Sequence, residues 1–204
     1  MDIFQIIKLA GPVIGAYLLG SVPFGLILAK KVASVDIRAE GSGNIGATNV
    51  RRVAGTVLGA LTLAGDFLKG AIPVYIAAVL TGDKGSCGEF YISVTAIAAF
   101  WGHLYPVFLQ FEGGGKGVAT AAGCFLVISP LSFLAAVMLF ATVIILYRRV
   151  SAGSLAASAL LPFAVWVFTH SVSYIFCAAI ISLFIFFRHR ENIRRLLSGT
   201  EPEI

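Results

Sequence analysis

In 204 residues the chain carries 58% hydrophobic and only 12% charged residues, with a net charge of +5 and a mean hydropathy of +0.93. A soluble domain carries about 25% charged residues, so this balance excludes one and predicts an all-α, polytopic integral membrane bundle. No separate soluble domain fits in the remaining length. Residues 1–204 read as one membrane-embedded unit, and the excess of base reads as loops facing anionic lipids or substrates, not as nucleic-acid binding.

The first apolar run, Phe4 to Ala29, outlasts a signal-peptide core and lacks a clear cleavage site, which predicts a retained span. It is interrupted at Gly11-Pro12 and at Ser21-Val22-Pro23-Phe24-Gly25, and it stops at Lys30-Lys31. A polar segment, Ser34 to Arg52, follows. Val53 to Thr81 is apolar except for Gly65 to Gly70 and reads as one broken span, in which Asp66 and Lys69 share a helical face and neutralise each other. Gly82 to Gly88 reads as an outside turn. The return span, Phe90 to Phe111, carries Trp101, Tyr105 and Pro106 and ends at Glu112-Gly113-Gly114-Gly115-Lys116-Gly117.

Val118 to Tyr147 fits one tilted crossing or two short ones hinged at Ser129-Pro130, and Leu155 to Phe187, too long for one span, is interrupted at Thr169-His170-Ser171. Taking both runs as hairpins places 12 of the 15 Lys and Arg residues in one compartment, as the positive-inside rule requires. The expectation is about seven transmembrane segments, with the N-terminus outside and the C-terminus cytoplasmic. Val118 to Ser129 is short for a full crossing, so that hairpin either spans the bilayer or only dips into it. Cys87, Cys124 and Cys177 fall at unrelated spacings and support neither a disulfide framework nor a zinc site.

Three polar clusters interrupt this apolar background. In Glu40 to Arg52, Gly41, Gly43 and Gly46 allow close backbone approach. Ser42, Asn44, Thr48 and Asn49 offer short hydrogen-bonding groups, and Arg51 and Arg52 add fixed charge. That is the chemistry of a phosphate cradle, and equally of a glycine-rich loop with a basic anchor. The Gly-x-Gly-x-x-Gly spacing is not a dinucleotide fingerprint here, since no strand precedes it. The second cluster joins Gly102-His103-Leu104-Tyr105-Pro106 to Gly113, Gly114, Gly115 and Lys116 at the opening of an apolar helix. It suits either an anion site of backbone amides and a lysine or a flexible turn with a snorkelling lysine. Gly117 follows the lysine where a Walker loop has Ser or Thr, which excludes that motif.

In the third cluster, Phe187 to Glu201, helical spacing puts His189, Asn192 and Arg195 on one face; a basic tail on an anionic leaflet is the alternative. His103 reads as an interface residue and His170 as bland. No serine-base-acid triad or metal set is present in the sequence, and no cofactor is expected. The predicted topology brings the three clusters to one membrane face, a sensible site for a phosphorylated, membrane-delivered substrate. A transporter or flippase for a phosphorylated small molecule is the rival reading, since interrupted helices and an Asp-Lys pair at membrane depth are also transporter features. A non-catalytic membrane scaffold is the third.

At these residues the chain resembles the bacterial acyl-phosphate-dependent glycerol-3-phosphate acyltransferase family. The similarity lies in Gly41-Ser42-Gly43-Asn44-x-Gly46-Ala47-Thr48-Asn49-Val50-x-Arg52 and in Gly102-His103-x-x-Pro106 with Phe111-x-Gly113-Gly114-x-Lys116-Gly117-Val118-Ala119-Thr120. It continues in His189-x-x-Asn192-Ile193-x-Arg195-Leu196 with Gly199-x-Glu201, in the family's order and across the whole chain. Ile45 stands where many relatives have proline. The resemblance implies a multi-pass enzyme of the bacterial inner membrane with its site facing the cytoplasm. It would transfer a fatty acyl group from acyl phosphate to the sn-1 hydroxyl of glycerol 3-phosphate, giving lysophosphatidic acid and phosphate, the first acylation of phospholipid synthesis.

The resemblance also assigns roles. Ser42, Arg52 and Lys116 would hold the glycerol 3-phosphate phosphate, helped by Gly113, Gly114 and Gly115. His189 and Asn192 would position the attacking hydroxyl, with Thr48 and Asn49 near the acyl phosphate. Gly43, Asn44, Gly46 and Arg195 would complete the binding surface, and Glu201 would tie down the tail. Direct attack without metal or acyl-enzyme is the expected chemistry, with the proton going to His189 or to substrate phosphate. The implied partners are the two substrates, membrane lipids and an enzyme that supplies acyl phosphate.

Overall fold

The computed structural model describes residues 3–82 and 85–204, with side chains from residue 10 onward. Asp83 and Lys84 of the predicted outside turn lie outside the described residues. Among the described residues ten α-helices follow one another: α1 (Ile3–Gly20), α2 (Phe24–Val32), α3 (Ala47–Ala54), α4 (Thr56–Thr81) and α5 (Ser86–Leu104), then α6 (Val118–Ile128), α7 (Pro130–Tyr147), α8 (Val150–Thr169), α9 (Val172–Arg188) and α10 (Arg190–Leu197). A 3-10 turn, Val107–Leu109, lies between α5 and α6, and among the described residues there is no strand.

The chain breaks where its residues forbid a continuous helix. Pro23 lacks an N–H and disfavours a helical residue before it, so the first apolar run becomes two helices whose axes differ by 41°. Pro130 occupies the start of α7, and the Ser129 hydroxyl caps that start by accepting from the Ser132 amide at 3.4 Å. Left-handed Arg148 and His170, φ 53° and 52°, end α7 and α8. The Ser171 hydroxyl then opens α9 by accepting from the Tyr174 amide at 3.3 Å.

Several predicted boundaries are corrected. Val53 to Thr81 is not a broken span: Gly55 ends α3, and α4 then runs unbroken through Gly65–Gly70. Its glycines are packing surfaces. A Cβ at Gly70 would lie 2.2 Å from the Thr120 carbonyl oxygen, and one at Gly123 would lie 2.0 Å from that of Phe67, so α4 and α6 cross with their backbones nearly touching. The return span begins at Ser86 instead of Phe90 and leaves the helix after Leu104, because Pro106 follows. α8 starts at Val150, five residues before the predicted Leu155.

Among the described residues four helices are long and apolar enough to cross a membrane, or up to six spans are present if the bent pairs α1–α2 and α9–α10 each count as one. α6, with 11 residues, is only about 16 Å long. It is enclosed by α4, α5 and α7, whereas α7 buries only Ser132 and turns Leu131, Leu134, Met138, Ile145 and Leu146 outward as a lipid-facing surface. The main core gathers residues of α1, α4, α5, α6, α8 and α9 around Phe100 and Phe125. A second core of Leu26, Ala29, Ile37, Ile45, Val50 and Leu58 seats the segment between α2 and α4.

Candidate active site

The site is assembled around the start of α6. After α5 the chain turns through Pro106 and returns, so that the Gly115 amide donates to the His103 carbonyl oxygen at 3.2 Å. From the far end of α9, Arg188 grips the same loop: its Nε donates to the Gly115 carbonyl oxygen at 3.1 Å and its Nη2 to that of Gly114. This clamp fixes the backbone that leads into Lys116. Lys116 Nζ donates to Asn192 Oδ1 at 2.6 Å. Asn192 Nδ2 in turn donates to Glu201 Oε1 at 2.6 Å.

Glu201 is the hub. The Ser151 hydroxyl at the start of α8 also donates to Oε1, at 2.6 Å, while Arg195 Nε donates to Oε2 at 2.7 Å. Arg149 Nε donates to the Glu201 backbone carbonyl at 3.1 Å, so the tail is tied to the α7–α8 turn. Burial alone would raise the Glu201 carboxyl, but hydrogen bonds from Ser151, Asn192 and Arg195 and the Arg195 charge outweigh it and hold the group below its usual value. Burial pushes the Lys116 ammonium down, assisted by Arg195 and Arg188 and opposed by Glu201 and Glu191.

His189 sits at the junction of α9 and α10, whose axes differ by 61°. Its ring is 3% exposed, and Nδ1 lies 2.8 Å from the Ile185 carbonyl oxygen. A carbonyl can only accept, so the proton is on Nδ1 and Nε2 presents a lone pair. Burial, together with the nearby Lys116 and Arg188 charges, pushes this imidazole down to about 4 against the bond to Ile185 and the Glu201 charge. Near neutral pH it is therefore an uncharged acceptor beside a cluster of cations.

The segment before α3 is closed by one side chain. Asn49, 2% exposed, accepts from the Ser42 amide at 2.9 Å through Oδ1, and its Nδ2 donates to the Ile37 and Glu40 carbonyls, each at 3.1 Å. Asn44 Oδ1 accepts from the Gly46 amide at 2.9 Å. Gly41 requires its lack of a side chain twice over: its φ is +60°, and a Cβ would lie 2.3 Å from Asn49 Oδ1. Outward from this closed loop face Ser42, Thr48, Arg51 and Arg52, all exposed. Among the described residues, neither arginine makes a side-chain hydrogen bond or ion pair.

The structure thus brings Gly113, Gly114, Gly115, Lys116, His189, Asn192, Arg195 and Glu201 together. Ser42, Gly43, Asn44 and Gly46 lie in the neighbouring loop, and Thr48, Asn49 and Arg52 on α3, which follows it. Leu109 of the 3-10 turn packs into the apolar cluster beneath that loop, although no hydrogen bond or ion pair joins the two groups among the described residues. Sequence reasoning missed Arg188, Ser151 and Arg149; only the position of Arg188 beside His189 could have suggested a role. His103, read as an interface residue, is instead 4% exposed and lies against Gly115. Among the described residues, no three His, Cys, Asp or Glu side chains are arranged to hold a metal ion. Chemically, the arrangement offers cations and two further Lys116 N–H donors for an anion, with a neutral imidazole acceptor beside them.

Residues 11–199 match the model of a family described as glycerol-3-phosphate acyltransferase. The chain is 54% identical over 189 residues to the glycerol-3-phosphate acyltransferase of Geotalea daltonii, spanning 93% of this chain and 94% of that one. Its identity to the protein of the same name from Syntrophotalea carbinolica is 50% over 201 residues, spanning 98% and 97%. The crystal structure of PlsY (YgiH), an integral membrane glycerol 3-phosphate acyltransferase, superposes in its glycerol 3-phosphate form with a TM-score of 0.88 at 41% identity, covering 96% of this chain and 95% of that one. The lysophosphatidic acid form of PlsY gives a TM-score of 0.86 at the same identity and coverage.

Proposed function

The chain belongs to the glycerol-3-phosphate acyltransferase family, and from that premise we propose that the cluster around Lys116 and His189 is its acylation site, with acyl phosphate as donor. The protein is an integral membrane acyltransferase that converts glycerol 3-phosphate to lysophosphatidic acid. The reading of the site rests above all on one connection: Lys116, at the end of the glycine loop, is bonded to Asn192, three residues beyond His189.

In this scheme Lys116, the Gly113–Gly115 loop, Ser42 and Arg52 hold the phosphate of glycerol 3-phosphate, while Asn192 and His189 orient its sn-1 hydroxyl. The hydroxyl oxygen attacks the acyl carbonyl carbon, the bond from that carbon to the phosphate oxygen breaks, and inorganic phosphate leaves with the electron pair. Burial lowers the basicity of the His189 imidazole, whereas the departing phosphate carries strongly basic oxygens. His189 Nε2 therefore accepts the hydroxyl's hydrogen bond, and the proton ends on the departing phosphate. An acyl phosphate is already an activated anhydride, so orientation and cationic stabilisation of the leaving group suffice. Thr48 lies on the loop face where the donor would approach, and Asn49 closes that loop from within.

Six long or bent segments together with α6 make up the proposed seven-segment topology, which puts the three clusters on the cytoplasmic face of the inner membrane. The test is to incubate purified protein with acyl phosphate and labelled glycerol 3-phosphate and to identify the product by mass. Labelled lysophosphatidic acid is expected. Glycerol 3-phosphate recovered unchanged, but moved across a sealed vesicle, would support the transporter reading instead.

A further inference from the structure

Behind the glycine loop lies a buried charged group that the acylation scheme does not use. Asp66 and Lys69, one turn apart on α4, are 3% and 2% exposed, and Lys69 Nζ lies 2.8 Å from Asp66 Oδ1. Lys69 Nζ also donates to the Val22 carbonyl oxygen at 2.9 Å, at the break between α1 and α2. On its other side, Asp66 Oδ1 is 3.6 Å from His103 Nδ1, a nitrogen that has no hydrogen-bond partner among the described residues. The opposite edge of the ring faces the loop. A Cβ added at Gly115 would lie 2.1 Å from His103 Nε2, and its three nearest neighbours would all be ring atoms.

Gly115 is therefore held on three sides. Arg188 binds its carbonyl, the His103 carbonyl receives its amide, and the His103 ring blocks the space behind it. Burying a charged pair at membrane depth is costly, and apolar residues would pack the same space without that cost. We propose that His103, wedged between the Asp66 carboxylate and Gly115, is a positioning residue that sets the Gly115 backbone and so the reach of Lys116 to the substrate phosphate. This inference rests on Lys116 being a phosphate ligand in the reaction proposed above. With the ring gone, Gly115 sinks toward Asp66 and Lys116 withdraws from Asn192.

Steady-state kinetics on the purified full-length protein test this. A misplaced loop predicts that His103→Ala raises KM for glycerol 3-phosphate about tenfold or more, with kcat and the KM for acyl phosphate within about threefold of wild type. His103→Gln, which keeps a polar side chain of similar reach, should restore KM to within about threefold. Gly115→Ala pushes a methyl group into the ring and should cost about tenfold or more in an otherwise native protein, but less than about threefold in the His103→Ala background, where that space is vacant. A monodisperse His103→Ala protein with native KM, or a Gly115→Ala effect of equal size in both backgrounds, would overturn the proposal. If His103→Ala does not fold, the remaining pair decides: Gly115→Ala impaired beside a near-native His103→Gln supports it, and native KM in Gly115→Ala refutes it. A wild-type protein that makes no lysophosphatidic acid would instead defeat the underlying functional reading.

Discussion

Lys116 Nζ donates to Asn192 Oδ1 at 2.6 Å, joining the loop before α6 to the helix after α9 across 76 residues of sequence. The contact spends one of three ammonium protons and leaves two to meet an anion. Because Asn192 also donates to Glu201, the position of the lysine depends on the tail.

Lys116→Ala should chiefly raise KM for glycerol 3-phosphate, with a smaller fall in kcat. A hydrogen bond from a charged donor is worth about 1.5–3 kcal/mol, so kcat/KM should fall by roughly ten- to over a hundredfold. Native values for both parameters would show the lysine to be only a membrane anchor.

Glu201→Ala removes the acceptor of Ser151, Asn192 and Arg195 at once. Orphaning buried donors costs about 1–3 kcal/mol each, so melting should shift down by several degrees and activity should fall with it. The Glu201 carboxyl is held below its usual value in the folded protein. Its contribution is thus fully present above the ordinary carboxylate range and is lost as pH falls through the depressed folded value. A melting curve measured against pH should lose this acid-limb component in the Glu201→Gln variant; an unchanged profile would contradict the hub assignment.

His189 gives a second pH signature. If turnover needs the Nε2 lone pair, the acid limb that His189 gives to kcat/KM should lie near pH 4, where the buried imidazole of the free enzyme protonates, and not at the ordinary value of about 6.5. The unfolded chain binds a proton from about 6.5 downward and the folded one only near 4, so stability falls as pH drops between these values. A kcat/KM limb near 6.5 that disappears in His189→Ala would mean that the ring is far more solvated than its packing indicates.

Asn49→Asp should be at least as harmful as Asn49→Ala. It replaces a donor with an oxygen facing the Ile37 and Glu40 carbonyls, whereas alanine only removes the bond. Thermal melting of the two variants decides this, and an Asn49→Asp protein as stable as wild type would contradict the role of the amide in closing the loop.

Much of the fold was legible because a few residues constrain the backbone locally. Pro23 and Pro130 have no N–H to donate, and the breaks predicted at those two prolines occur there; the interruption predicted at Gly11-Pro12 does not, since α1 runs through Pro12 from Ile3 to Gly20. The Gly65–Gly70 stretch misled because glycine and charge mark a loop in water but can be a packing surface and a neutralised pair inside a bundle. The site residues were legible as residue types in three clusters, and His189, Asn192 and Arg195 do share α10 and its cap. Asn49 was visible as a polar side chain, but its burial depends on Ile37 and Glu40 folding back over it. Ser151 carried no signal and Arg188 only its place beside His189, since their partners, Glu201 and Gly114–Gly115, lie 50 and 73 to 74 residues away.

Comparison of donors tests the central claim most directly. Purified protein is given labelled glycerol 3-phosphate with either acyl phosphate or acyl-CoA, each with and without EDTA, and both lysophosphatidic acid and released phosphate are measured. Fixed charges from Arg52, Lys116 and Arg195 supply the electrostatic work in the proposed scheme, and the short segments outside the helices leave little surface for a nucleotide pocket. The account predicts product and phosphate in equal amounts from acyl phosphate, unaffected by chelation. Efficient transfer from acyl-CoA, or activity abolished by EDTA and restored by magnesium, would contradict it.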